Sequence, residues 1–591
     1  MSLPTDGPFH GALPGDDGTT FRVWAPLADS MMLLREGAAP VPMEPADDGT
    51  FVTKTEAPPG TRYWVERNGQ DRFPDPASRF QPEGVHGPSQ VVDPSTYAWQ
   101  DADWSGVARE DLVIYELHVG TFAADGTFDG VRDALPYLAD LGVTALELMP
   151  VHDFPGRWNW GYDAAALFAP SRAYGTPDAL RRLVDDAHRC GLAVLLDVIY
   201  NHFGPDGAYA AALAPFFTDK HDTPWGNAIN LDDDGSDGVR RFFIDNALHW
   251  LREYHLDGLR LDATHALHDA SAPHFLAELS DAVDTHLDDR PRHLIAEDHR
   301  NLNRLVQPRA LGGYGLDAVW SDDLHHQVRC LTAGDREGYF RDYTQTTASD
   351  IATTLRDGWF YRGQHSEHLG APRGTDPDPV DRSQCVVFIQ NHDQVGNRPT
   401  GNRLTDDVSL PVYRALSTLL CCAEELPLLF MGQEWAAATP FQFFTDHNEE
   451  LGRRVTEGRK EEFQDFSGFD GAVPDPQDAQ TFARSRLDWS EPREAPHDGI
   501  LTLYRDLLTL RSQLGPLADV EAPTDTTLGL HRPPYHVLVT LAGPATVDAP
   551  ADARCVLHTE QDDYATDAVP PRLEDDAVAF DRPGAVVLCA I

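Results

Sequence analysis

Lysine is almost missing from this 591-residue chain, which has only Lys54, Lys220 and Lys460. All basic residues together number 47 against 95 acids, a formal net charge of −48. A surface of that sign repels nucleic acid and anionic membranes, so neither is an expected partner. A neutral substrate suits it better than a phosphorylated one, and the acidity fits a salt-tolerant host and a GC-rich genome equally. Cysteine is sparse: seven residues, an odd number with no CxxC pair. Scattered thiols of this kind point to a reducing compartment and a cytosolic protein. No long apolar run is present either. The richest stretch, "ALSTLLCCAEELPLLFMG", is broken by Glu424, Glu425 and Pro427, which excludes a membrane span there. The opening "MSLPTDGPFHG" is polar and turn-rich, unlike a secretory leader.

What is present describes a packed globular protein. Apolar residues make up 41% and aromatics 9% of the chain, and its length predicts about two to four domains. Residues 1–95 read as short strands between Pro/Gly turns, for example "FRVWAPL" and "GTRYWVERNG", the texture of a β-sandwich. Residues 96–111 read as a linker. From 112 to 520, eight apolar runs alternate with amphipathic stretches: "VIYEL", "VTALELM", "AVLLDVI", "GLRLD", "LIAED", "LDAVW", "VVFIQ" and "PLLFMG". Near-continuous apolar runs between helices argue for a parallel sheet covered on both faces, and eight of them for an α/β fold of the (β/α)8 TIM-barrel kind. An open doubly wound sheet is the alternative. Residues 521–591 return to strands and turns, predicting a second β-sandwich.

The polar residues at the ends of these runs carry the chemistry. "GLRLDATH" places Arg260 and Asp262 on one face of a short apolar strand. The run before it closes as "DVIYNHFG", with Asp197, Asn201 and His202; later runs close as "LIAEDHRN", with Glu297, and "FIQNHDQ", with Asn391, His392 and Asp393. Any one cluster suits a helix cap or an ion pair. Four at the same end of four strands suit a barrel's catalytic face. Asp262, Glu297 and Asp393 match glycoside hydrolysis, which needs an ionised carboxylate and a protonated carboxylic acid across the scissile bond. Arg260 would keep Asp262 ionised, and the apolar "HLIA" before Glu297 would favour its acid form. His202 and His392 suit sugar hydroxyls. Metal-dependent barrel hydrolases also gather His and Asp, but commonly start from an HxH pair, and here "ELHVG" holds a lone His118. His118 is read as a packed barrel histidine, and no metal or other cofactor is expected.

The four motifs "DVIYNHFG", "GLRLDATH", "LIAED" and "FIQNHDQ", in this order, resemble the α-amylase superfamily of glycoside hydrolases (family 13). The resemblance implies that Asp262 is the nucleophile, Glu297 the general acid/base and Asp393 the transition-state stabiliser. It also implies that Asp197, His202, Arg260 and His392 support the subsite of the attacked glucose, over Tyr162 as an aromatic platform with Asp163 beside it. "YELHVGTF", "AEDHRN" and "MGQEWAAATPFQFFTDH" are similar to a trehalose-releasing branch of that family. This implies cleavage of the α-1,4 bond next to the terminal trehalose of maltooligosyl trehalose, with functional pairing to a maltooligosyl trehalose synthase. His265 stands where typical α-amylases carry a lysine, which argues against an endo-amylase, and calcium is not assumed. The resemblance further implies leaving-group contacts from Trp225, Asp322, Asp323, His325, His326, Gln394 and Glu434, with "WSDDLHHQ" read as a loop. A glucan branching or hydrolysing enzyme, and an inactive carbohydrate-binding barrel, are the alternatives.

Overall fold

The structure is a computed structural model that describes residues 9–590 apart from 379, 465–472, 551 and 575. Eight parallel strands close into a barrel: β1 Ile114–Leu117, β2 Ala145–Leu148, β3 Ala193–Val198, β4 Gly258–Leu261, β5 His293–Ala296, β6 Ala318–Trp320, β7 Cys385–Phe388 and β8 Leu426–Phe430. Each pairs with its sequence neighbours, and β8 closes on β1 through Leu428 opposite Ile114. Every apolar run read from the sequence supplies one strand. These strands are buried along their whole length, because helices cover the outside and side chains fill the inside.

Alternation along the strands sorts the interior into layers. Ile114, Ala145, Leu195, Ile295, Ala318, Val386 and Leu428 form one apolar cluster. Two residues further on, at the same face of the pleat, stand Glu116, Glu147, Asp197, Glu297 and Trp320, with Arg260 two residues past Gly258. A charged tier therefore lies on top of an apolar one, at the carboxyl end of the strands. The intervening Tyr115, Leu146, Leu196 and Leu259 point outward into the main core.

Before the barrel, seven strands between Gly11 and Phe73 run as one hydrogen-bonded path, with Ser89–Gln90 pairing off it with Arg62–Arg67, around a shared core that includes Phe21, Leu33, Phe51, Tyr63 and Val65. After it, strands from Asp519 to Cys589 form a five-stranded and a three-stranded sheet, with Leu538, Val578, Phe580 and Val586 between them. The stretch around residues 96–111 is more than a spacer. Trp104 and Val107 pack against the apolar tier at the bottom of the barrel, and the Trp104 indole donates to Asp257 Oδ1 at 2.8 Å.

One reading is corrected. "DDLHHQ" is not a loop: Asp323–Thr332 is a helix with Asp322 at its N-cap. Its apolar side, Leu324 and Val328, becomes visible only when the residues after "HHQ" are included, and the whole span 323–330 is buried. Helices Ala348–Asp357 and Glu449–Gln464 also lie outside the elements expected from the sequence. Among the described residues no helix is long and apolar enough to cross a membrane.

Candidate active site

Arg260 is the centre of the charged tier. It has no exposed surface; its Nη1 donates to Asp197 Oδ1 and Oδ2 at 3.0 and 2.9 Å and to Asp262 Oδ1 at 2.6 Å. Its Nη2 lies 3.8 Å from Glu297 Oε2, and its guanidinium covers the Trp320 ring at 4.5 Å. Strands β3, β4, β5 and β6 thus deliver four side chains to one cation. Asp262 also accepts from Asn201 Nδ2 at 2.9 Å. Beyond it the chain turns through Ala263 in the left-handed region at φ 42°, an uncommon conformation for a residue with a Cβ. The turn aims the Ala263 N–H at Glu297 Oε2, 2.6 Å away.

The two carboxyls beside Arg260 behave oppositely. Burial alone would push Asp262 up, but Arg260, His202 and the Asn201 hydrogen bond hold it below the usual carboxylate range. Burial pushes Glu297 up to about 8; Arg260 opposes the shift, and the negative charges of Asp262, Asp393 and Asp322 add to it. Asp393, on the helix His392–Gly396, is the most open of the three, with 40% of its side chain exposed. Asp322 joins the same wall, and burial raises it to about 7.

Tyr162 stacks on His392 at 5.3 Å between ring centroids. Its hydroxyl donates to Asp197 Oδ2 at 2.6 Å and lies 2.7 Å from His392 Nε2. His202 bonds the Tyr162 carbonyl through Nε2 at 2.9 Å, and the exposed Trp225, on the hairpin Phe217–Thr223 and Gly226–Ile229, stacks over His202 at 4.9 Å. Asp163 faces inward instead, accepting from Asn159 Nδ2 at 2.6 Å and lying 3.2 Å from His447 Nε2. His265 packs edge-on to His299 at 4.4 Å. Gln394 accepts from the Tyr339 hydroxyl at 2.7 Å, and Tyr339 stacks on His326 at 4.4 Å.

Three residues expected at the leaving-group side stand elsewhere. Glu434 has no exposed surface; it accepts from Tyr115 and Tyr137 hydroxyls at 3.0 and 2.9 Å. Because Glu116 points into the barrel, its neighbour Tyr115 points out, and Glu434 lies behind the barrel wall. His325 is buried between Phe388, Phe340 and His326. Asp323 is fully buried, accepting from Asn301 and from the Phe360 and Tyr361 N–H groups and pairing with Arg373. Its charge is spent on the fold. His118 is a packed residue, its Nε2 bonded to the Asn159 carbonyl at 2.9 Å. Sequence reasoning passed over Glu116, Glu147, Trp320 and Tyr339. For the first two a signal exists: an acid inside the apolar runs "VIYEL" and "VTALELM", the same anomaly that Arg260 makes in "GLRL".

Comparison with known proteins agrees with this geometry. Residues 93–218 match the family model of the alpha amylase catalytic domain. The malto-oligosyltrehalose trehalohydrolase of Deinococcus radiodurans is 47% identical over 511 residues, covering 85% of this chain and 82% of that one. That of Rhizobium sp. (strain M-11) is 43% identical over 532 residues, covering 88% of each. A crystal structure from Salmonella typhimurium, assigned to the alpha amylases, superposes with a TM-score of 0.90 at 37% identity over 99% of this chain and all of its own. A pullulanase from Anoxybacillus sp. LM18-11 shares the fold, with a TM-score of 0.73 at 17% identity over all of this chain and 88% of its own. A barrel with a charged tier, flanked by two sets of sheets and this close to named relatives over most of its length, has one placement: the chain belongs to the malto-oligosyltrehalose trehalohydrolases of the α-amylase family.

Proposed function

We propose that this chain hydrolyses the α-1,4 bond next to the terminal trehalose of maltooligosyl trehalose, releasing trehalose and a maltooligosaccharide by a retaining double displacement. The observation that carries the reading is the contrast between two carboxyls at one guanidinium. Asp262, held ionised, attacks the anomeric carbon; Glu297, held protonated at neutral pH, gives its proton to the departing trehalose oxygen. Glu297 then draws the proton from the water that releases the sugar, so acid and base are one group used twice. Asp393 supports the positive charge that develops on the sugar ring. Tyr162, Asp197, His202 and His392 frame the attacked glucose, while Trp225, His265, Asp322, His326 and Gln394 border the cleft from the segments after β3, β4, β6 and β7.

Product analysis on maltooligosyl trehalose and on a plain maltooligosaccharide tests the reading. Trehalose from the first and slow attack on the second are expected; equal rates on both, or new branch points, would refute it. Asp262→Ala is expected to abolish turnover, by a factor on the order of 10⁴ or more, with the thermal transition near that of the wild type. Retained turnover removes Asp262 from the nucleophile's role.

A further inference from the structure

Glu116 and His392 are 276 residues apart in sequence and meet inside the barrel. Glu116 Oε2 accepts the backbone N–H of His392 at 2.8 Å, and Oε1 accepts from its Nδ1 at 2.5 Å. Both side chains are 1% exposed. On the other edge of the ring, Nε2 lies 2.7 Å from the Tyr162 hydroxyl, which itself lies 2.6 Å from Asp197 Oδ2.

The direction of each hydrogen bond follows by elimination. Both Asp197 oxygens already accept from Arg260, so the carboxylate is an acceptor towards Tyr162 too. Tyr162 therefore donates to Asp197, and its oxygen is free to accept. Among the described residues its partner at the other side is His392 Nε2, which must carry a proton. Glu116, a carboxylate bonded to the neighbouring N–H, accepts at Nδ1, so that nitrogen carries a proton as well. A histidine with both nitrogens donating is an imidazolium.

We infer that Glu116 is a positioning residue which keeps His392 doubly protonated, giving the subsite of the attacked sugar a second fixed cation beside Arg260. The inference rests on the hydrolytic reading of the site only through the activity measurement below. The groups facing His392 are Glu116 from β1, His118 just past it, Glu147 from β2, Tyr162 from the loop after β2, Asp197 from β3, Arg260 from β4, Trp320 from β6, and Asp393, whose Oδ1 lies 3.4 Å from Nε2. Burial disfavours the charged ring, and Arg260 repels it, yet Glu116 and Asp393 raise it to about 9. Glu147 is itself pushed up by burial and by the Glu116 charge.

Glu116→Gln tests this with little change of shape. The amide oxygen takes the backbone N–H and the amide NH2 turns to Nδ1, so a neutral ring keeps Nε2–H on Tyr162 and loses a single proton. The His392 titration, followed by ring ¹⁵N NMR and identified by its absence in His392→Gln, is expected to fall by about one to three pH units. The alkaline limb of kcat/KM for trehalose release, set in the wild type by Glu297 near 8, is expected to drop to the new value for the ring. Glu147→Gln, which leaves both Glu116–His392 hydrogen bonds in place, should leave both where they were. An unmoved titration in Glu116→Gln overturns the inference. Should that variant not fold, a wild-type His392 ring that is neutral at pH 7 overturns it equally. If the wild type releases no trehalose, the proposed function fails while the ring titration still decides this point.

Discussion

In its proposed role as the acid, Glu297 couples catalysis to stability. Its carboxyl titrates near 8 in the fold against an ordinary 4.5, mainly because it is buried. The folded chain therefore keeps a proton that the unfolded chain gives up. The stability from this group is complete below about pH 4.5 and is lost as pH rises through about 8. Glu297→Gln, which cannot ionise, is expected to gain on the wild type across that window. Melting temperatures compared at about pH 5 and pH 8.5 should show the variant's advantage growing with pH; a constant gap would mean that Glu297 is not held as the acid. Activity should be lost in this variant at every pH. Asp262, pulled the other way by Arg260 against its burial, has the opposite dependence, so the same carboxyl group suits the two proposed roles of acid and nucleophile.

At the scale of elements, the segment between β6 and β7 is the longest connection between two barrel strands. Its helix Asp323–Thr332 sends Asp323 not to the cleft but to the segment's own backbone at Phe360 and Tyr361, with Arg373 and Tyr343 closing the cluster. A buried charge with several partners fixes a loop only while all of them stay. Asp323→Ala leaves Arg373 buried without its partner and is expected to cost about 3–5 kcal/mol. The cleft wall carrying Tyr339 would loosen with it, so KM should rise more than kcat falls. Chemical denaturation and steady-state kinetics check the two halves of this expectation. Unchanged stability would place Asp323 back among substrate contacts. This is also the clearest misreading of the sequence: an acid at a strand end looks the same whether it faces solvent or an unpaired backbone N–H, and only the path of residues 358–375 distinguishes the two.

For the whole molecule, the first sheet assembly is locked to the barrel by polar pairs out of water. His10 and Asp245 pair at 2.9 Å, and Arg79 Nε reaches both oxygens of Glu253 at 3.1 Å, with Nη2 at 2.9 Å. Burial works against the Glu253 charge, but Arg79 and His249 hold its carboxyl well below the usual range. The last sheets are tied on in the same way, Glu560 joining Arg582 to Arg414 of the helix Leu410–Cys422. Glu253→Ala strands the Arg79 charge and is expected to cost about 3–5 kcal/mol. In calorimetry the first sheets should then melt ahead of the barrel, with trehalose release intact below that early transition. A single unshifted transition would show that apolar contacts alone hold the junction.

The sequence by itself determined the eight strands and the order of the four motifs, and it singled out Asp262, Glu297 and Asp393 as candidates. Those features are local: an apolar run with a polar end is read within about ten residues, and side-chain alternation does the rest. Only the tertiary structure decided what each polar end touches. Closing the barrel set Glu116 beneath His392, brought Asp197 and Glu297 to one guanidinium, and turned Glu434 behind the wall although it follows a strand end like the others. Contacts between strands depend on register and on the direction of each loop, and neither is written in the spacing of a single strand. The same closure accounts for the charged residues inside apolar runs: each stands one pleat above an apolar layer, where a cation and its carboxylates offset one another's cost of burial.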